Sequence, residues 1–377
     1  MAEHILGKDE IQVRFLLGAP LNKTMPNSTC RLLSNGYKFN IDWDSSISYR
    51  PCCHFPDRQQ LNSTTEQHVE FRQELNSINS YESQRTCSAC NFQDDNQLRK
   101  THRDMSFNVV PDDAELGDPS YLEIQTNNTC NGGCIICGPE YSSYWQNELK
   151  QFTIKPVNDP VDQILSFIDI QKTRKIMFLG GEPFLSDTDT RVLPLIKNPS
   201  VVSLQYTTNG SIYPSQTHID LWSQFQTVLI NFSLDGIGDR FDYIRYPLKW
   251  NQVEKNVIRM MKEMPSNVQF KSNHTVNPLN LYYYDEFKNW YDQVIAPSLR
   301  SKEFTFNPCS GTLSPTGVPI KLFNMLIEKY GHDSKVAHAA GHAVDDRNAM
   351  LDYLKELDTR RGLDWRQVFP EISDCFA

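Results

Sequence analysis

No window of the 377-residue chain approaches the roughly 20 consecutive apolar residues that cross a bilayer as a helix. No membrane association is therefore expected. The N-terminus lacks the basic n-region of a secretory signal, and its short apolar stretch is interrupted by Arg14. Positive charge is scarce as well. The 37 Lys and Arg against 46 Asp and Glu leave a net charge of −9, which argues against a nucleic-acid partner held by bulk electrostatics. His338 and His342 stand four residues apart in helical text, but no acidic residue sits between them in the HExxH manner, so solvent exposure is expected of both.

Cysteine is what the chain has in quantity. Ten cysteines without an export signal point to metal or catalytic use in a reducing, cytoplasmic setting rather than to a disulfide framework. Cys309 and Cys375 stand alone and read as ordinary thiols. The other eight cluster. Cys130, Cys134 and Cys137 share one loop, spaced C-x3-C-x2-C, after a strand-like run at 121–126 and before a helix opening near Glu140. Three thiolates so placed can each bind one iron of a cubane cluster and leave the fourth iron open to a small molecule. A zinc site would recruit a fourth Cys or His close by, and none follows within the loop.

From residue 121 strand-like and helix-like segments alternate. Strands are predicted at 121–126, 175–179, 202–207, 227–233, 268–275 and 303–306, with helices such as 161–170, 251–264 and 283–295 between them. Six βα repeats imply an α/β fold with a parallel sheet closed or half-closed into a barrel, and function at the C-terminal strand ends. Short polar motifs stand there. Gly180-Gly181-Glu182-Pro183 follows the second strand, Thr207-Thr208-Asn209-Gly210 the third, and Ser233-Leu234-Asp235-Gly236 the fourth. His274 and Asn277 end the fifth and would face the same mouth, although a structural hydrogen bond explains His274 equally well.

A cysteine loop followed by GGEP, TTNG and SLDG, each after a strand, resembles the radical S-adenosylmethionine (SAM) enzymes over residues 120–280. The resemblance implies a partial (β/α)6 TIM-like barrel carrying a [4Fe–4S] cluster on Cys130, Cys134 and Cys137. It also implies that Gly180, Gly181, Glu182 and Pro183 contact the amino group of SAM, that Asn209, Ser233 and Asp235 line its ribose, that Arg245 pairs with its carboxylate, and that Ile136 packs on its adenine. The reduced cluster would cleave SAM to methionine and a 5′-deoxyadenosyl radical. An electron donor such as flavodoxin or ferredoxin would serve it.

Upstream, Cys30 precedes a strand-like run (37–43) and a returning strand (47–50) that delivers Cys52 and Cys53. A helix (65–77) and Cys87-Ser-Ala-Cys90 follow. Cys30, Cys52, Cys87 and Cys90 suffice for a four-thiolate site, with Cys53 an alternative to Cys52 because adjacent strand residues point to opposite faces. Spacing alone suits zinc and iron–sulfur equally. The order resembles the auxiliary-cluster segments called SPASM or twitch domains, which implies a second [4Fe–4S] cluster and, with it, a peptide or protein substrate. A small molecule, nucleoside or sugar is the alternative substrate, and a zinc-stabilised binding protein the alternative without catalysis. Residues 91–118 are charged and turn-rich and read as a linker. The expected division is a cysteine-rich auxiliary domain over 1–115, the barrel over 116–310, and a helical C-terminal extension over 311–377 with helices at 320–329 and 342–359.

Overall fold

The computed structural model describes residues 30–376, apart from 42–45, 54, 56–57, 78–86, 88–89, 91–101, 126, 151–159, 299–303 and 342–346. One nine-stranded sheet organises them, in the order β3-β2-β1-β4-β5-β6-β7-β8-β9. The six barrel strands β4 (Tyr121–Gln125), β5 (Lys175–Leu179), β6 (Ser203–Thr208), β7 (Thr227–Ser233), β8 (Val268–Val276) and β9 (Thr305–Pro308) run parallel in chain order. The sheet is a partial barrel.

Residue alternation explains why it forms. Along β8 burial alternates strictly. Val268 and Phe270 join Ile176, Phe178, Leu204, Tyr206, Val228, Ile230 and Phe232 in the core beneath the helices. The intervening residues, including Lys175, Gln205, Asn231 and Lys271, face the barrel interior, since neighbouring strand residues point to opposite sides. The helix Trp250–Glu263 buries Val253, Asn256, Val257 and Met260 against the sheet, at spacings that keep them on one face.

The upstream hairpin is part of this sheet. β1 (Gly36–Ile41) pairs parallel with β4, and β2 (Ile47–Arg50) returns antiparallel beside it, with the short β3 (Gln59–Gln60) outside. The helix Thr65–Ser77 lays Phe71 and Leu75 on the same core.

Two local expectations are corrected. The stretch 91–118 is not uniformly linker, because residues His102–Val109 form a helix. Its buried Arg103 and Ser106 are polar and so disguise it: the Ser106 hydroxyl donates to the carbonyl of Arg103 (2.6 Å) and accepts from the Arg31 amide (3.1 Å). The helix expected over 342–359 is Asn348–Arg361, and a separate helix, Lys335–Ala340, ends at Gly341, whose φ of +67° is glycine's region. His338 is therefore on a helix that stops before residue 342. It is exposed, while His342 lies outside the described residues.

The C-terminal helices carry a second core of Leu322, Leu326, Met350, Leu354, Leu357 and Trp365, which also takes in Ile135 and Trp145 beside the cysteine loop. No described helix is long and apolar enough to cross a membrane.

Candidate active site

The cysteine loop leaves the C-terminal end of β4 and is held from four directions. The Gly133 amide donates to the Tyr246 carbonyl (2.6 Å) and the Ile135 amide to that of Ile244 (2.9 Å). The Trp145 indole donates to the Cys134 carbonyl (2.9 Å). From the C-terminal extension, the Tyr353 hydroxyl donates to the Ile135 carbonyl (2.7 Å). The following helix, Ser143–Leu149, starts three residues later than expected, where Ser142 caps it and donates to the Gly132 carbonyl (2.6 Å).

Gly132 lies between two of the sulfurs. A Cβ there would sit 3.3 Å from Cys134 Sγ and 3.8 Å from Cys130 Sγ. Cys134 is buried, while Cys130 and Cys137 are half-buried. Burial, reinforced by the neighbouring Cys134, pushes the Cys130 thiol up to about 12. Burial also raises Cys134, against the opposing pull of Arg245. Both hold their protons as free thiols, and binding a cation removes them.

GGEP docks this loop. A Cβ on Gly181 would fall 2.1 Å from the Thr129 carbonyl, and the Glu182 amide donates to that same oxygen (2.7 Å). Only glycine lets the end of β5 lie so close to the run-up to Cys130. Gly180, with φ +141°, passes Asn127 in the same way, and Pro183 opens a short 3-10 turn. The Glu182 side chain is fully buried. It accepts from the Thr208 hydroxyl (2.7 Å), the Asn209 amide (2.8 Å) and the Phe184 amide (3.4 Å). These bonds tie the ends of β5 and β6 together.

Burial lifts the Glu182 carboxyl from its ordinary 4.5 to about 7, although all three donors oppose the shift. The native state therefore holds a proton that an unfolded chain has already lost. The stability this group contributes is complete below about 4.5 and disappears as pH rises through about 7. Urea unfolding at about pH 5 and about pH 8 should show a weaker loss of stability across the interval in Glu182→Gln than in the parent. An identical difference in the two proteins would show that Glu182 does not titrate there.

Asn209 reaches the cysteine loop directly: its Nδ2 donates to Asn131 Oδ1 (2.9 Å), and its Oδ1 accepts from the Ser211 amide (2.9 Å). Ser233 is half-buried at the end of β7. Asp235 is completely buried, accepting from the Thr275 amide (2.7 Å) and pairing with Arg245 Nη2 (2.5 Å). Arg245 Nη1 lies 3.8 Å from Cys134 Sγ. The arginine thus belongs to the site, but one face of its guanidinium is engaged by Asp235. Ile136 is half-buried against the C-terminal core.

His274 does not face the mouth. It stacks on Phe287 of the outer helix layer at 4.2 Å, and its Nδ1 donates to the Leu234 carbonyl (2.9 Å). Burial depresses its pKa to about 4, so the ring is neutral. Asn277 is a turn former, its Oδ1 accepting from the Leu279 amide (3.0 Å). Asn131 and Tyr353 were not singled out in the sequence, although Asn131 adjoins Cys130, while Thr208 stands in the TTNG motif without a role having been read for it. Tyr353→Phe should lower stability by about 1 kcal/mol, the worth of one hydrogen bond, with iron binding retained. Chemical denaturation together with metal analysis measures both.

The upstream thiols gather at the opposite end of the sheet. Cys30 and Cys52 pack on Leu32, Val110 and Tyr121. Burial raises the Cys30 and Cys90 thiols, Cys90 to about 12, and charge on nearby Cys87 raises both further. Cys52 and Cys53 both lie near enough to Tyr121 to raise its phenol, after burial and Glu123. Among the described residues no three His, Cys, Asp or Glu side chains converge on a single ion. A cubane cluster asks for no such convergence, because each thiolate binds a separate iron.

Residues 124–286 match the profile described as the Radical SAM superfamily, which begins in β4 and takes in every motif at the mouth. The GTP 3′,8-cyclase of Actinobacillus pleuropneumoniae serotype 7 (strain AP76) is 28% identical over 141 residues, 37% of this chain and 40% of that one. That of Clostridium acetobutylicum is 28% identical over 137 residues, 36% and 40% of the two chains. The match thus spans about two fifths of these relatives. Among solved structures, native anSMEcpe with bound AdoMet aligns with a TM-score of 0.39 at 16% identity, over 64% of this chain and 61% of that one. Streptococcus suis SuiB bound to the precursor peptide SuiA aligns with a TM-score of 0.38 at 12% identity, over 78% and 57%. Likeness that faint says nothing about substrate. The family whose profile matches implies a [4Fe–4S] cluster and S-adenosylmethionine, and the half-buried to buried thiols of Cys130, Cys134 and Cys137 are suitable ligands for the cluster.

Proposed function

We propose that the chain is an enzyme that reductively cleaves SAM and uses the resulting radical to abstract hydrogen from a peptide or protein. One observation carries this: the three-thiol loop is clamped to the ends of the adjoining strands by their own motifs, through Gly181, Asn209 and Arg245. When bound, the reduced cluster supplies one electron that breaks a carbon–sulfur bond of SAM. The chain's part is to bind, to orient and to exclude water from the radical. Cys130, Cys134 and Cys137 hold the cluster. Gly180–Pro183 backbone, Asn209, Ser233 and Asp235 border the adjoining space, and Ile136 offers an apolar surface. Arg245 neutralises charge beside Cys134.

Cys30, Cys52, Cys87 and Cys90 would hold a second [4Fe–4S] cluster, resembling a SPASM or twitch segment placed ahead of the barrel. Such a cluster can accept the electron left after a peptide is oxidised or crosslinked, which favours a peptide substrate. A flavodoxin or ferredoxin would supply the first electron. Free thiols in this number suit the cytoplasm. A second substrate reading, a nucleotide-like small molecule, is favoured by the 28% identity to GTP 3′,8-cyclases.

Anaerobic reconstitution with iron and sulfide tests the proposal. About eight irons per chain are expected, the content of two [4Fe–4S] clusters, with 5′-deoxyadenosine released from SAM under dithionite. Cys87→Ala should lose half the iron and keep the cleavage. Zinc in place of iron, with no cleavage, would leave a metal-stabilised scaffold. Deuterium transfer into 5′-deoxyadenosine from labelled peptides or from labelled nucleotides decides between the substrates.

A further inference from the structure

We propose that the cavity at the N-terminal end of the barrel binds an anionic group, a phosphate or carboxylate carried on a small molecule. The cavity measures about 570 Å³, and Arg31, Arg174, Lys175, Gln205 and Gln269 are among the residues that line it. Lys175 is the first residue of β5, Gln205 the third of β6 and Gln269 the second of β8. The strands are parallel, so this is the end opposite the cysteine loop. Strands of five or six residues put about 17–20 Å between the two. The cavity is thus separate from the space beside the Cys130–Cys137 loop and lies at the end of the sheet where the upstream thiols gather, its Arg31 following Cys30.

Its charge runs against that of the protein. In a chain of net charge −9, three cations line the cavity, and Asp112 is the one acid among its lining residues. Asp112 is taken by Arg31 at 2.6 Å, and its side chain projects into solvent. The Lys175 ammonium meets the thioether of Met105 at 3.4 Å, a weak acceptor. The negative charge that acts on it is that of Glu123, which the Tyr121 hydroxyl (2.8 Å) and Lys38 (3.6 Å) already engage. Among the described residues no carboxylate forms an ion pair with Lys175. Burial weakens the hold of Lys175 on its proton, Glu123 strengthens it, and Lys271 weakens it further. A partly desolvated cation facing a roomy polar cavity is costly alone and is stabilised by an anion. The Gln205 and Gln269 side chains, amides with donors and acceptors, add neutral hydrogen-bonding capacity at the same place.

The test is isothermal titration of the full chain at low ionic strength, with inorganic pyrophosphate in one arm and citrate in the other. Neither arm requires SAM turnover, so failure here is independent of the reaction proposed above. The parent protein should bind at least one of the two at one site per chain, which also says whether phosphate or carboxylate is preferred. Lys175→Gln should weaken that binding at least about tenfold, as expected when one side of a desolvated charge pair is removed. Gln269→Glu, which adds a like charge without removing the lysine, should weaken it as well and decides the matter if Lys175→Gln fails to fold. Lys197→Gln, at an exposed position outside the cavity, should leave it unchanged. No binding by the parent, or equal binding by parent and Gln269→Glu, would overturn the proposal.

Discussion

Exchanging Cys134 for alanine should abolish SAM cleavage and halve the iron bound after reconstitution. Cys134 is the most enclosed of the three loop thiols, lying between Gly132, Trp145 and Arg245. Its carbonyl, which accepts from the Trp145 indole, is unaffected by the change, so the loop keeps its path. What disappears is one of three thiolates, and a cubane left with two protein ligands is lost together with its four irons. The upstream thiols lie at the other end of the sheet, so their share of iron should survive. Cys375→Ala provides the control. That buried thiol lies against Met325 in the C-terminal core, and its loss should leave both iron and cleavage intact. Metal analysis and chromatography of 5′-deoxyadenosine read the two quantities. Full cleavage in Cys134→Ala would sink the assignment of the cluster to this loop.

The barrel was legible because its signals are local and repeated. β5 and β7 lie where alternation places them, at 175–179 and 227–233, and the helix at 65–77 matches its apolar spacing. The motifs were legible for the same reason: each directly follows a strand, and strand ends fix where side chains gather. What the sequence hid is pairing at a distance. Nothing near residue 353 marks a tyrosine that bonds a carbonyl 218 positions earlier. Nor does any pattern tell that Glu182 turns its oxygens towards Thr208 and Asn209, which the fold brings within 2.8 Å. The helix His102–Val109 escaped because the side chains it buries include an arginine and a serine, and the serine hydroxyl accepts from the amide of Arg31, 75 positions earlier. His274 was ambiguous because strand register sets which face a residue takes, and a register is read across strands, not along one.

Arg245→Met should cost about 3–5 kcal/mol of folding stability, because it strands a buried carboxylate without its partner. Asp235 has no exposure and sits 2.5 Å from the guanidinium. Burial works against the Arg245 guanidinium's charge, and the neighbouring Asp235 more than offsets it, so the net shift is upward. Removing one member leaves the other to bear its desolvation alone. Asp235→Asn in the same chain should recover most of the loss, since asparagine carries no charge and keeps an oxygen for the Thr275 amide. Urea denaturation of the parent, both single variants and the double variant gives the coupling directly. The cycle also separates two roles for the arginine. If it serves Asp235, the double variant regains stability and binds SAM nearly as the parent does. If the guanidinium chiefly meets the carboxylate of SAM, stability returns while the KM for SAM stays high. Arg245→Lys sharpens the distinction, because a single ammonium cannot reach Asp235 and the side of Cys134 together as the planar fork does.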